Sequence, residues 1–340
     1  MDSIFGFEFL ELQKDLNLKG FEKFRAGQIF KWIYCKKVND FTKMTDISTN
    51  DRIKLGQIYD TSLLSDFTEL VSKIDNTKKY LFRIDSKNFI ESVFMVENKR
   101  VTVCLSSQTG CSLGCKFCAT GKESGRDLTV DEIVRQFLTI FYNNPQRITN
   151  IVFMGMGEPL LNLQNLLPAI KIINSDKGIN IGARKITVST AGIIKGIEQL
   201  IKFPLQIKLA VSLNSAIQEK REKLMPVSKT NNIYDLKKIL KDYQKIKNKR
   251  ITFEYIILPG INDGKEDVEA LFDYLKDIDC KLNIIPYNKT VEDFREPTEK
   301  EIKQFYERLS KFKNAVSIRK SKGKDINGAC GQLRGKFIIS

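Results

Sequence analysis

The apolar positions change period along the chain. Over Phe7–Leu16, Phe24–Tyr34 and Asp51–Tyr59 they recur every three or four residues, with Ile29, Phe30 and Ile33 forming one stripe. This predicts a small, separate helical unit at the N-terminus. From Lys79 a strand-like pattern takes over in Lys79–Ile84, Phe89–Val96 and Arg100–Leu105, with turns at Asp85–Asn88 and Glu97–Lys99. Apolar strands and amphipathic helices then alternate. The strands are expected at Val101–Leu105, Asn150–Met154, Lys185–Ser189, Gln206–Ser212, Arg250–Leu258, Lys281–Pro286 and Val316–Arg319. The helices between them are expected at Thr129–Asn143, Leu163–Asn174, Ile193–Ile201, Ile233–Lys247, Lys265–Asp277 and Glu299–Lys311.

Repeated βα units of this length demand a parallel sheet with crossover helices. The fold class is therefore α/β, either an open doubly wound sheet or a complete or partial barrel. Residues 1–95 are expected to form the helical domain with its linking meander, and residues 96–340 the larger domain. In such folds chemistry sits on the loops that follow the strand C-termini.

Composition narrows that chemistry. The 340 residues include no histidine, which removes Ser-His-Asp and Cys-His machinery, histidine zinc sites and imidazole acid–base catalysis. Any general base must be Glu, Asp, Lys, Tyr or Cys. At 42% hydrophobic and 29% charged residues the chain reads as an ordinary globular protein. It has no apolar run of about 18 residues, and Asp2 and Glu8 interrupt the first ten positions. A cytoplasmic location without membrane contact is expected. The seven cysteines then read as reduced ligands or reactants. The net charge of +15 grows toward the C-terminus, where residues 221–340 hold 26 basic against 18 acidic side chains. Such a surface attracts phosphate backbones, unless its lysines are merely solvated.

After the first core strand comes Cys111-Ser112-Leu113-Gly114-Cys115-Lys116-Phe117-Cys118, three thiols within eight residues. A four-iron cluster takes thiolate ligands, and three from the chain leave one iron free. A structural zinc site would need a fourth ligand from a distant Cys or a carboxylate. Three buried free thiols are the remaining reading. At the next strand end stands Met154-Gly155-Met156-Gly157-Glu158-Pro159-Leu160, whose bland reading is a strand-to-helix turn.

CxxxCxFC on the first βα loop, with Gly157-Glu158-Pro159 after the next strand, resembles the radical S-adenosylmethionine (SAM) superfamily. Two further thiols narrow the resemblance. Cys104 ends the strand leading into the cysteine loop, and Cys330 lies in Gly328-Ala329-Cys330-Gly331-Gln332-Leu333 beyond Arg319, Lys320, Lys322 and Lys324. With Phe24–Tyr34 resembling an N-terminal accessory domain, nearly the whole chain resembles the RlmN/Cfr family of radical SAM RNA methyltransferases. Cys35 and Cys280 match no motif and read as buried structural thiols.

The resemblance implies a partial (β/α)6 TIM-like barrel, one [4Fe–4S] cluster on Cys111, Cys115 and Cys118, and two SAM molecules per turnover. It implies SAM contacts at Gly157, Glu158, Ser189, Ser212, Leu213, Asn214 and Asn288. The implied chemistry begins with the Cys330 thiolate taking a methyl from one SAM. A 5′-deoxyadenosyl radical from the second SAM removes hydrogen from that S-methyl group, and the carbon radical adds to adenine. Cys104 accepts the ring proton, with Glu91 as another implied acceptor, and a Cys104–Cys330 disulfide releases the product. That bond needs the two Cα atoms within roughly 7 Å.

The implied substrates are carbon 2 of an adenine in the peptidyl-transferase region of 23S rRNA and of an adenine beside the tRNA anticodon. The implied electron donor is flavodoxin-like, and a monomer is expected. Two other readings stand beside this one: Cfr-type methylation of adenine carbon 8, and a non-catalytic RNA-binding protein with a structural metal. Pro159 favours the carbon 2 branch. One departure matters: the family's Ser-Leu-His is Ser212-Leu213-Asn214 here, and an amide cannot titrate.

Overall fold

The computed structural model describes residues 1–313 and 315–334, so the last residues of the expected large domain, 335–340, lie outside the described set. A short parallel pair, β1 (Asp2–Ser3) and β2 (Tyr59–Asp60), closes the N-terminal unit of α1 (Phe9–Leu18), α2 (Arg25–Phe30) and α3 (Thr49–Ile58). The stretch Phe24–Tyr34 is helical as expected, but it widens into a π turn over Lys31–Cys35, which leaves Cys35 exposed and not buried as expected, whereas Cys280 is buried. Contrary to expectation the unit is not separate. Phe5, Leu12, Phe30 and Tyr34 share one apolar core with Phe137 and Leu138 of α4 (Val130–Asn143). Arg135 of α4 also pairs with Asp60 at 2.5 Å.

One ten-stranded sheet carries the rest. β3 (Phe67–Val71), β4 (Lys78–Arg83), β5 (Phe89–Glu97) and β6 (Arg100–Leu105) form an antiparallel meander. β3 escaped the sequence reading because it is a sheet edge, with Leu70 and Val71 exposed and no alternation to read. The division expected at residue 95 falls inside a paired strand. Met95 of β5 stands opposite Thr102 of β6, and β4 pairs with the other side of β5, so the sheet continues through it.

From β6 onward every neighbour is parallel. The strands β7 (Asn150–Phe153), β8 (Ile186–Thr190), β9 (Lys208–Ser212), β10 (Ile251–Ile257), β11 (Cys280–Pro286) and β12 (Ala315–Ile318) follow in sequence order. The crossovers are α4, α5 (Leu163–Asn174), α6 (Ile194–Lys202), α7 (Gln218–Leu224) with α8 (Ile233–Lys247), α9 (Lys265–Leu275) and α10 (Glu299–Arg308). Capping boxes at Thr129 with Glu132 and at Thr298 with Glu301 fix two of the helix starts. α7 was not foreseen, since five of its seven residues are charged and it has no apolar stripe.

The parallel strands make the expected partial barrel, with β12 as a seventh strand. Its curvature shows in one contact. Arg319, just after β12, brings Nη1 to 3.4 Å from Glu254 Oε1 on β10 and 3.6 Å from Met154 Sδ just after β7. In a flat sheet β12 and β7 would stand roughly 24 Å apart, at about 4.8 Å per strand. The sheet therefore curls, and the C-terminal ends of its parallel strands line two hollows that share a wall. Among the described residues no helix is long and apolar enough to cross a membrane.

Candidate active site

The cysteine loop leaves β6 and is pinned at several points. Cys111 N donates to Glu123 O at 2.8 Å, Lys116 N to Leu224 O at 2.9 Å, and Cys118 N to Cys115 O at 3.2 Å. Gly121 packs so tightly that a Cβ there would meet Cys115 O at 2.9 Å. Burial pushes the Cys111 thiol up to about 12 and raises those of Cys115 and Cys118. All three sulfur-bearing residues line one cleft enclosing roughly 820 Å³, open at its mouth. Among the described residues no group of three Cys, Asp or Glu side chains converges on a point as a single metal ion requires.

The strip after β7 forms the facing wall. Gly157 has φ +97°, and a Cβ there would lie 2.5 Å from Gln108 Cβ. At Gly155 a Cβ would lie 2.6 Å from Ser106 Oγ. The two glycines let this strip lie against the β6 loop. Glu158 is 3% exposed and accepts from Leu160 N at 3.0 Å and Ala191 N at 2.7 Å. Burial lifts its carboxyl to about 7, against those hydrogen bonds and one from Thr190.

Of the other residues implied to touch SAM, Gly157, Ser189 and Ser212 line the same cleft. Ser189 Oγ donates to Glu254 Oε2 at 3.0 Å. Leu213 and Asn214 do not line it. Leu213 is wholly buried in the apolar core. Asn214 is left-handed at φ +57°, its Oδ1 accepting from Ile256 N at 3.0 Å and its Nδ2 facing Met225 Sδ at 3.2 Å. It stitches the ends of β9 and β10, which an asparagine tolerates in this conformation. Asn288 reaches the Cys330 carbonyl, at 3.4 Å, and so bears on the Cys330 segment.

Cys104 and Cys330 come together from opposite ends of the chain. Both are free thiols lining a second hollow of roughly 740 Å³, which shares Cys118, Met154, Gly155, Ile285, Cys330 and Gly331 with the first. Burial pushes the Cys104 thiol up to about 12; Cys330 adds to the rise and Arg319 opposes it. Arg319 is itself held charged above all by Cys330, against its burial. Glu91 is not in this hollow. It lines an adjacent one, paired with Lys79 at 3.2 Å and accepting from Arg334 N at 3.0 Å.

Residues 105–275 match the radical SAM superfamily, and residues 3–60 match the ribosomal RNA large subunit methyltransferase N-terminal domain. The chain is 42% identical over 340 residues to the probable dual-specificity RNA methyltransferase RlmN of Thermosipho melanesiensis, spanning 99% of this chain and 100% of that protein. The chain belongs to the RlmN family of radical SAM methyltransferases. The like-named protein of Clostridioides difficile is 41% identical, over 97% of this chain and 96% of its own. A radical SAM methyltransferase from Sphaerobacter thermophilus shares the fold at a TM-score of 0.92 and 35% identity, covering 99% of this chain and all of that one.

As a radical SAM protein this RlmN-family chain uses a [4Fe–4S] cluster and SAM. The residues fit that pair, with the three thiols on one wall of the cleft and two buried carboxylates, Glu158 and Glu254, and the hydroxyls of Ser189, Thr190 and Ser212 on the others. Sequence reasoning missed Glu254, the carboxylate joining Ser189 to Arg319, and Gln108, whose Oε1 receives Glu158 N at 2.7 Å. Neither stands in a motif; a charged residue inside the apolar run Ile251–Ile257 was the available signal for Glu254.

Proposed function

We propose that this RlmN-family chain methylates carbon 2 of adenine in 23S rRNA, in the peptidyl-transferase region, and in tRNA, beside the anticodon. The observation that carries the reading is the pair Cys104 and Cys330 in one hollow that opens onto the cleft of the three cysteines. A simple methyl transfer needs no second thiol. A route in which the methyl carrier must later be freed from its product does.

In this reading Cys111, Cys115 and Cys118 hold the cluster, while Gly157, Glu158, Ser189 and Ser212 face SAM. When bound, cluster and SAM supply a transferable methyl group and a radical able to remove hydrogen from it. Cys330, as thiolate, would attack the methyl carbon of one SAM, breaking its bond to the sulfonium sulfur so that S-adenosylhomocysteine leaves, and carry the methyl as a thioether. It presents that carbon to the adenine ring, which is turned out of its stack to reach the hollow. The adduct would give up one electron and its ring proton, the proton to Cys104. Attack of the Cys104 sulfur on the Cys330 sulfur would then break the S–CH2 bond, its electron pair and a proton completing the methyl group and freeing the base. The Cys104–Cys330 disulfide left behind would be reduced by an external dithiol before the next turnover. Glu91, satisfied by Lys79 and the Arg334 amide, is assigned to holding the segment that bears Cys330 and not to proton transfer.

The helical N-terminal unit and the basic C-terminal third would contact RNA shape and phosphates. A flavodoxin-like protein is the proposed electron donor, and the monomer the working unit. Digestion of RNA modified by the purified protein, with mass spectrometry of the nucleosides, should give 2-methyladenosine. Finding only 8-methyladenosine would overturn the choice of carbon. Zinc without sulfide after anaerobic purification would overturn the enzymatic reading.

A further inference from the structure

Arg221 heads the side chains wholly withdrawn from solvent, and no step above uses it. It sits on α7, directly behind the cysteine loop. Leu224 and Met225 at the end of that helix pack with Phe117, and Cys115 and Cys118 lie against the same cluster.

All of its hydrogen bonds go to neutral acceptors. Nε donates to Leu213 O at 3.0 Å, Nη1 to Ser228 Oγ at 2.6 Å, and Nη2 to Ala191 O at 2.6 Å and Ser212 O at 3.2 Å. These tie it to the strand ends that line the cleft. A guanidinium out of water without a counter-charge is costly to a fold, and neutral amides could satisfy three carbonyls and a hydroxyl without that cost. Burial opposes its charge, and among the described residues no Asp or Glu pairs with it. The end of its helix is tied to the cysteine loop, Lys116 N, next to Cys115, donating to Leu224 O at 2.9 Å and Met225 N to Arg221 O at 2.7 Å.

We propose that Arg221 is a positioning residue for the cluster, a fixed buried counter-charge that favours its reduced state. This rests on the reading of Cys111, Cys115 and Cys118 as ligands. Reduction adds one electron from an external low-potential donor and changes no bond at Arg221. The site becomes more negative by one charge, so a buried cation beside it raises the midpoint potential. A guanidinium suits the task because it does not deprotonate in proteins and its fork fixes it in place.

The test is a dithionite redox titration of the anaerobically reconstituted full-length protein, followed by the electron paramagnetic resonance of the reduced cluster, with iron and sulfide counted. Arg221→Met should lower the reduced-to-oxidised ratio at a fixed potential by about tenfold or more, a fall of about 59 mV for one electron. Arg221→Gln, which keeps donors for the carbonyls but not the charge, should shift the midpoint as far as Arg221→Met does; lysine is unsuitable as a control, because a buried ammonium sheds its proton. An unshifted midpoint in a fully loaded Arg221→Met protein overturns the proposal. A wild-type midpoint in Arg221→Gln also overturns it, since that assigns Arg221 to holding the carbonyls alone. Should Arg221→Met not fold, Arg221→Gln reads the same quantity. Absence of iron and sulfide from the wild type would instead sink the cluster reading and is told apart by that measurement.

Discussion

Without cluster or SAM, the stability difference between wild type and Glu158→Gln should swing with pH, and the structure sets the size of the swing. Burial lifts the Glu158 carboxyl from 4.5 to about 7. The folded protein therefore holds this proton more tightly than the unfolded chain. Below about pH 4.5 the group costs nothing; the cost grows as pH rises to about 7 and is constant above. At about 1.4 kcal/mol per tenfold change in proton affinity, the full loss is about 3 kcal/mol. Gln cannot ionise and escapes that loss. It has one acceptor oxygen, however, where Glu158 offers Oε1 to Leu160 N and Oε2 to Ala191 N. One of these bonds is lost at every pH, an offset of about 1–3 kcal/mol that does not titrate. Urea unfolding of both proteins across this range measures the difference, and other titrations cancel in it. The wild type should lose about 3 kcal/mol relative to the variant between acid and mildly alkaline solution. A flat difference would refute the argument that burial dominates at Glu158. If the SAM ammonium sits against this carboxylate, SAM affinity should fall as pH drops through about 7, and saturating SAM should abolish the swing.

The remaining predictions concern the thiols and their supports. Cys104→Ala should leave one RNA bound covalently through Cys330 per enzyme, visible as a crosslinked band, with turnover cut at least a hundredfold; full turnover excludes the role given to Cys104. With Cys104 pushed up to about 12, release of product from that adduct in the wild type should quicken about tenfold per pH unit near neutrality. Gly157→Ala places a Cβ 2.5 Å from Gln108 Cβ at φ +97°. It should weaken SAM binding in equilibrium dialysis tenfold or more and cost about 2 kcal/mol in unfolding. Glu91→Ala strands Lys79 in a buried site and should destabilise by about 3–5 kcal/mol. Its Cys330 should react faster with iodoacetamide, whereas a purely proton-accepting Glu91 would leave that rate unchanged.

The sequence carried the βα alternation because each parallel strand presents a continuous apolar face to the core, as Ile251, Phe253, Tyr255 and Ile257 show on one side of β10. It also carried the cysteine loop and the Gly157-Glu158 strip, where chemistry restricts spacing. It could not carry β3 or α7, whose exposed or charged residues leave no periodic trace. Asn214 was legible only as a substitution in a motif. That its amide turns inward to Ile256 N depends on the left-handed backbone there, which local pattern does not encode. The same holds for Arg221, one of several charged residues in α7 until the strand-end carbonyls come round it.

That Cys104 and Cys330 meet depends on the barrel being open. Curvature of the sheet brings the end of β12 opposite β6, but a thiol on a paired strand would be held in one place. Cys330 instead lies on a segment that leaves β12 and crosses to the far edge of the sheet. There Asp325 accepts from Ser72 Oγ at 2.6 Å and Lys73 N at 2.9 Å, and Gly323 N donates to Asp75 at 3.1 Å. The segment then returns to the cysteine loop, where Gly331 O receives Ala119 N at 2.9 Å and Leu333 O receives Thr120 Oγ1 at 2.6 Å. Cys330 thus hangs between two anchors over both hollows. In the proposed chemistry one sulfur must meet a methyl donor, an adenine ring and Cys104 in turn. A closed barrel would pair β12 with another strand and leave no gap for such a segment, so the unpaired sheet edges and the reactive cysteine belong to one design.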